Sequence, residues 1–202
     1  MKPTVVFWYE FASTYSYLSA MRIEATAAEA DVVIDWKPFL LGPIFKSQGW
    51  DTSPFNIYPA KGRYMVRDIE RTASARGLPF RMPSSFPANG LKAARLAIAA
   101  RSQGADAAFS RAVFAAEFGK GLDISDDAVL TDCLTTAGLD ADDVRRLSTD
   151  LAVKSELRAN TEEASALGIF GAPSFSTQDS ELFWGDDRLE QALAWARKRA
   201  PR

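Results

Sequence analysis

The sequence predicts an α/β fold, and three observations point to it. An apolar run, "TVVFWYEF" (4–11), leads directly into helix-like sequence, "YSYLSAMRIEATAAEA" (15–30), and then into a second apolar run, "DVVIDWKPF" (31–39). A long middle stretch reads as successive helices closed by glycine. The chain then returns to two short strand-like runs and a last amphipathic helix.

The elements follow in order. The first run is apolar almost throughout, as expected of a strand buried on both faces. Residues 15–30 carry alanines and few breakers and are expected as one helix, and 31–39 as a second strand, giving a right-handed βαβ unit if the strands are parallel. "LGPIFKSQGWDTSPFNIYP" (41–59) mixes Gly, Pro, Ser and aromatics without either period and is expected as a long ordered loop, a class that is often functional. Helices are expected over 60–77, 88–103, 105–118, 125–137, 140–149 and 150–167, most of them ending at a glycine. "PSFST" and "ELFWG" read as two strands around a "QDS" turn, and "DDRLEQALAWARKR" as a final helix with Asp186 or Asp187 at its N-cap.

Composition excludes several functions. The 202 residues are 47% hydrophobic and 25% charged with a net charge of −2, so no overall basic field favours nucleic acid or an anionic membrane. No stretch approaches the roughly 18 apolar residues of a membrane span, and the apolar run that meets Glu10 is too short for a signal-peptide core. A cytoplasmic location is the default expectation. The chain has no histidine, which removes His-based general bases, Ser-His-Asp triads and His-containing zinc sites, so no metal is expected. Its single cysteine, Cys133 in "AVLTDCLTTAGL", cannot form an internal disulfide and reads as a small buried hydrophobe.

The order βαβ, helical block, ββα, with a proline just before the third strand, resembles a thioredoxin-like fold with a large all-helical insertion, as in the DsbA-like proteins. On that resemblance residues 1–60 and 169–202 form the thioredoxin-like domain and 61–168 the helical insertion. Four segments resemble a narrower family, the bacterial 2-hydroxychromene-2-carboxylate isomerases and kappa-class glutathione transferases. "FASTYSYL" is similar to their "[FL]xSPYSYL", "YPAKGRYMVRDIER" to "PxKxxYMxxDL", "GIFGAPSF" to "GxFGxP", and "FWGDDRLE" to "[FW]G[SN]DR[LM]E". The segments are correctly ordered and span nearly the whole chain. Thr14 stands where the family usually has proline, and Asp186 where it usually has serine or asparagine. The second departure is expected to place extra negative charge in a glutathione site.

The resemblance assigns candidate roles, each beside a plainer reading. Ser13 follows the first strand at the start of a helix, where DsbA-like oxidases carry a reactive cysteine; read alone it is an N-cap. A serine without a base is a poor nucleophile but a good donor to a thiolate supplied from outside, so the resemblance implies that Ser13 stabilises the glutathione thiolate. Pro173 resembles the family's cis-proline, turning the Ala172 backbone toward glutathione for strand-like pairing; the alternative is a trans proline opening a strand.

Asp187 and Arg188 resemble the pair that grips the γ-glutamyl end of glutathione, with Asp186 beside them; otherwise they are an N-cap and a solvated face. Lys61 resembles the lysine that meets the glycyl carboxylate, or is a solvated first-turn lysine. Tyr15, Lys46, Trp50 and Asn56 are candidate contacts to substrate, while Trp8, Phe45 and Trp50 equally suit a core.

The resemblance implies a homodimer that uses glutathione to isomerise a small aromatic carboxylate, 2-hydroxychromene-2-carboxylate, to trans-o-hydroxybenzylidenepyruvate in aromatic-compound catabolism. The alternatives are a kappa-like transferase and a non-catalytic thioredoxin-fold protein that binds peptides beside Pro173. A disulfide oxidoreductase is excluded, because no cysteine stands at the start of the first helix. The C-terminal "RAPR" reads as a frayed end.

Overall fold

The computed structural model describes residues 2–199; the remainder of "RAPR", from residue 200 on, lies outside the described residues. Four strands form one mixed sheet in the order β2-β1-β3-β4, with β1 Thr4–Tyr9, β2 Val33–Pro38, β3 Ser174–Thr177 and β4 Leu182–Trp184. β1 runs parallel to β2, with Phe7 opposite Trp36, and antiparallel to β3, with Val6 opposite Ser176. β3 and β4 form the expected hairpin.

β1 is central and packed on both faces, which accounts for its unbroken apolar sequence. On one face Phe7 stacks between Tyr9 and Phe175, with ring centroids 5.2 and 5.6 Å away, and meets Trp36 edge-on. On the other face Trp8 is fully buried with Phe39, Ile44, Ala164 and Ile169, and its indole N–H donates to Ser176 Oγ at 2.8 Å. Of the two roles open to Trp8, the core is the one it fills.

The expected single helix over 15–30 is two helices, α1 Thr14–Ala20 and α2 Ile23–Glu29. The break falls at Arg22, whose backbone leaves the helical region at φ −131° and whose guanidinium pairs with Asp186 and Glu190. The stretch expected as a loop holds α3 Leu41–Ser47 and α4 Pro54–Ile57. Its prolines obscure them at the sequence level, yet Pro43 lies in the first turn of α3, where a missing N–H breaks no intrahelical bond.

α5 Pro59–Ala75 starts on proline and buries Met65, Ile69 and Ala73, spaced one helical turn apart. Then follow α6 Leu91–Arg101, α7 Asp106–Phe114, α8 Asp127–Thr136, α9 Ala141–Ser148 and α10 Leu151–Ala166. α7 runs on into a π-helical turn, Ala115–Gly119. All of α3 to α10 lie between β2 and β3. A short 3-10 turn, Asp186–Arg188, leads into α11 Leu189–Arg199. Neither Asp186 nor Asp187 caps it through a side chain; the residue before the turn is Gly185, whose φ of 107° lies in the region that favours glycine. No helix among the described residues is long and apolar enough to cross a membrane.

Candidate functional site

β1 ends at Tyr9, and the turn Glu10–Ser13, closed by a hydrogen bond from the Ser13 N–H to the Glu10 carbonyl at 3.0 Å, delivers the chain to α1. Ser13 is the N-cap of α1: its Oγ accepts from the Ser16 N–H at 3.1 Å. The same hydroxyl donates to the carbonyl of Ala172 at 2.8 Å. The Ala172–Pro173 peptide bond is cis. One side chain thus ties the start of α1 to the segment entering β3.

Both segments line a cavity of about 1180 Å³. Binding sites for a drug-sized molecule occupy roughly 300–1,000 Å³, so this one has room for a tripeptide and a second small molecule. α3, the loop after it and α5 form the facing wall, with Trp50 and Lys61 among the lining residues. Trp50 packs against Phe45, 6.0 Å between centroids, and the Lys61 ammonium lies 5.7 Å from the Phe55 ring centre. Tyr15 also lines the cavity and donates to Asp68 Oδ2 at 3.0 Å. Burial and this donation to a carboxylate push its phenol well above the usual range, so it stays protonated.

The residues grouped by sequence divide into two sets. Ser13, Tyr15, Trp50, Lys61, Ala172, Pro173, Asp186 and Asp187 all line the cavity. Arg188, Lys46 and Asn56 stand outside its lining. Arg188 turns to Asp187, Nη1 to Oδ2 2.9 Å, with both side chains largely exposed. Asn56 donates to Thr52 Oγ1 at 2.9 Å.

Asp186 departs furthest from expectation. Its carboxylate is 5% exposed and takes Ser19 Oγ at 2.9 Å and Arg22 Nε at 3.2 Å on one oxygen, and Arg76 Nη2 at 2.6 Å on the other. Two guanidiniums neutralise it, so it adds no free negative charge to the cavity. It joins α1, the start of α2, the end of α5 and the approach to α11.

Sequence reasoning did not single out Glu10 or Glu117. Glu10 lines the cavity, and burial raises its carboxyl from the ordinary 4.5 to about 7, the Ala12 amide pulling the other way. Glu117, in the π-helical turn, is fully buried with no hydrogen-bond partner on either oxygen. Burial, then the charges of Glu10 and Asp123, push it well above the usual carboxylate range. The available signal was Glu10 itself, a lone charge closing an apolar strand just before Ser13. Cys133 is buried in α8, away from the cavity lining, its thiol raised by burial to about 11.

Comparison with known proteins identifies the family and the fold. The DSBA-like thioredoxin domain family matches residues 4–194. The chain is 32% identical to a 2-hydroxychromene-2-carboxylate isomerase of Sphingobium xenophagum over 94% of this chain and 96% of that one. It is 27% identical to glutathione S-transferase kappa 2 of Caenorhabditis elegans, over 94% and 90%. Among solved structures, a 2-hydroxychromene-2-carboxylate isomerase superposes with a TM-score of 0.81 at 25% identity, covering 97% of this chain and 95% of that one.

Two outcomes are expected. Asp186→Ala leaves Arg76 without its carboxylate and Arg22 with Glu190 alone, and should cost about 3 kcal/mol of stability, the low end for removing one partner of a buried ion pair, read from urea midpoints. The second concerns pH. Because Glu10 and Glu117 have raised values in the folded chain, the native state binds more protons than the unfolded chain above 4.5. Both contributions are therefore full below that value; that of Glu10 is lost as pH rises through about 7, while that of Glu117, held well above the ordinary carboxylate range, continues to fall beyond that range. The melting temperature should fall over that interval, and the Glu10→Gln, Glu117→Gln double variant should flatten the slope.

Proposed function

The chain belongs to the DsbA-like thioredoxin family, in the group of the 2-hydroxychromene-2-carboxylate isomerases and kappa-class glutathione transferases, and on that premise we propose that it is a glutathione-dependent isomerase of 2-hydroxychromene-2-carboxylate. The observation that carries the reading is the Ser13 hydroxyl, set opposite the cis Ala172–Pro173 bond in the wall of a cavity large enough for two ligands. No cysteine occupies that position, so the reactive sulfur has to arrive with a ligand.

Glutathione supplies that sulfur. Its cysteinyl backbone would lie beside Ala172, its γ-glutamyl end near Asp187 and its glycyl carboxylate toward Lys61. α1 has only seven residues, so its dipole is short and the hydroxyl hydrogen is the stronger local influence on a thiolate. That hydrogen rests on the Ala172 carbonyl and swings to the sulfur when the thiolate is in place. A free thiol ionises near 8.5, and each unit of depression favours the thiolate by about 1.4 kcal/mol.

The hemiketal ring first opens: the C2–ring oxygen bond breaks with its electron pair left on the phenolate, which takes the proton of the C2 hydroxyl as C2 becomes a ketone. The thiolate then adds to the carbon–carbon double bond conjugated with that ketone, and the displaced electron pair moves to the ketone oxygen as an enolate. The former double bond, now single, rotates. Collapse of the enolate expels the thiolate and restores the double bond in the new geometry, so glutathione is regenerated. The aromatic residue Trp50 and the phenol of Tyr15 would hold the second ligand against the sulfur. The reading carries with it a cytoplasmic homodimer in aromatic-compound catabolism, as the family resemblance implies. A kappa-like transferase, which would leave the sulfur on its acceptor, is the second reading, favoured by the likeness to the Caenorhabditis elegans protein over 94% of the chain.

Glutathione binding by calorimetry, followed by loss of 2-hydroxychromene-2-carboxylate with and without glutathione, tests the proposal; turnover that is indifferent to glutathione would overturn it. Ser13→Ala should lower kcat, because the lost donor acts on the thiolate. Asp187→Asn should mainly raise the KM for glutathione, by about 1.5 to 3 kcal/mol in binding, since its contact is remote from the bond being rotated. Cys133→Ser should change neither.

A further inference from the structure

Ionising a thiol requires a group to take its proton, and this chain has no histidine. The carboxylates around the cavity are mostly engaged. Asp186 is held by two guanidiniums, Asp187 by Arg188, and Asp68 by Tyr15 and Arg71, while Asp51 is exposed. Tyr15 remains protonated, and Cys133 is elsewhere.

Glu10 differs from all of these. It is part of the same closed turn as Ser13, lines the cavity, and makes no ion pair among the described residues. Its surroundings leave it room: a Cβ on Gly90 would lie 3.0 Å from Glu10 Oε1, so a side chain at that position would press on the carboxyl. The groups that face it are the Ala12 amide from its own turn and the bare Gly90 at the start of α6, and its charge is felt by Glu117 in the π-helical turn. Glu117 has no solvent and no hydrogen-bond partner, an arrangement tolerable only when it is neutral. Asp123 adds to the pressure against its ionising. The cavity wall therefore holds one carboxyl that titrates near neutrality, and a second, enclosed carboxyl lies near enough to feel its charge and is kept neutral.

We propose that Glu10 is the proton acceptor of this cavity, taking the proton of the glutathione thiol as the thiolate forms beside Ser13. This rests on the glutathione reading above. The S–H bond breaks with its electron pair left on sulfur, an O–H bond forms on Glu10, and no electrons leave the pair. The transfer reverses when the thiol re-forms and departs. An acceptor near neutrality suits the task, since a donor and acceptor of similar proton affinity exchange the proton in both directions. The role also gives the cavity a net charge that does not change at the chemical step, because the negative charge only moves from oxygen to sulfur.

The test counts protons. Glutathione binding is measured by calorimetry in paired buffers of different ionisation heat at about pH 8, where Glu10 is ionised and the free thiol mostly is not. The ultraviolet thiolate band is followed in parallel, and S-methylglutathione, which has no thiol proton, sets the zero. The native protein should show the thiolate band with almost no proton released to buffer. Glu10→Gln, an isosteric change, should release about one proton for each thiolate it still forms. Equal proton counts in the two proteins, or a full proton released by the native one, would overturn the assignment. A native-protein infrared difference spectrum gives the same answer without any variant: glutathione should bring up the C=O stretch of a protonated carboxyl, and its absence overturns the proposal. If the native protein binds glutathione with no thiolate band, or does not bind it, the glutathione reading itself falls and this inference with it.

Discussion

The burial of β1 on both faces is the constraint on which the rest of the structure depends. A strand that packs Phe7 and Tyr9 into one core and Trp8 into another cannot slip in register without moving aromatic rings out of both. Tyr9 adds a polar anchor, its hydroxyl sharing a buried hydrogen bond of 2.8 Å with Ser110 on α7. With β1 held, its exit point is held, and four residues later Ser13 is delivered to α1. β3 pairs directly with β1, so the cis Ala172–Pro173 bond, just before β3, is located by the same strand.

A second organising element is electrostatic. Arg22 and Arg76 converge on Asp186 from α2 and α5, and Ser19 completes the cluster from α1. The cluster joins the sheet-forming part of the chain to the helices that follow β2. Desolvating three charged groups is costly, and the arrangement is tolerated because each oxygen of Asp186 has a guanidinium partner. The charge that would otherwise face the cavity is thereby consumed, leaving Glu10 and the exposed Asp51 as the acids of the wall that have no ion pair among the described residues.

The fold was largely legible because its signals are periodic and local. The apolar run of β1, the glycines after most helices and the spacing around Pro173 each report on their own neighbourhood. What escaped depended on partners distant in sequence. The division of α1 from α2 falls at Arg22, whose partner Asp186 lies 164 residues away, and nothing in residues 15–30 announces it. Asp186 read as free charge for the same reason: a single sequence does not reveal that Arg22 and Arg76 meet it. Lys46 and Asn56 are candidates as polar residues of a stretch expected as a loop, and Arg188 by its match to the family motif, but the faces of α3, α4 and the turn before α11 on which they lie are set by packing. Glu10 was visible in the sequence only as the charge that ends a strand, and its environment comes from Gly90 and Glu117, brought beside it by the helices between β2 and β3.

Under the proposed glutathione chemistry, the position of Cys133 bears on how the protein survives its substrates. A conjugated carbonyl compound or an activated electrophile attacks any accessible thiolate, and a protein handling such compounds beside an exposed cysteine would inactivate itself by alkylation. Here the only endogenous sulfhydryl is enclosed in α8 and held in its protonated, unreactive form. With no histidine to be modified either, the polypeptide presents little soft nucleophilicity of its own, and a damaged sulfur carrier can be exchanged from solution without replacing the protein.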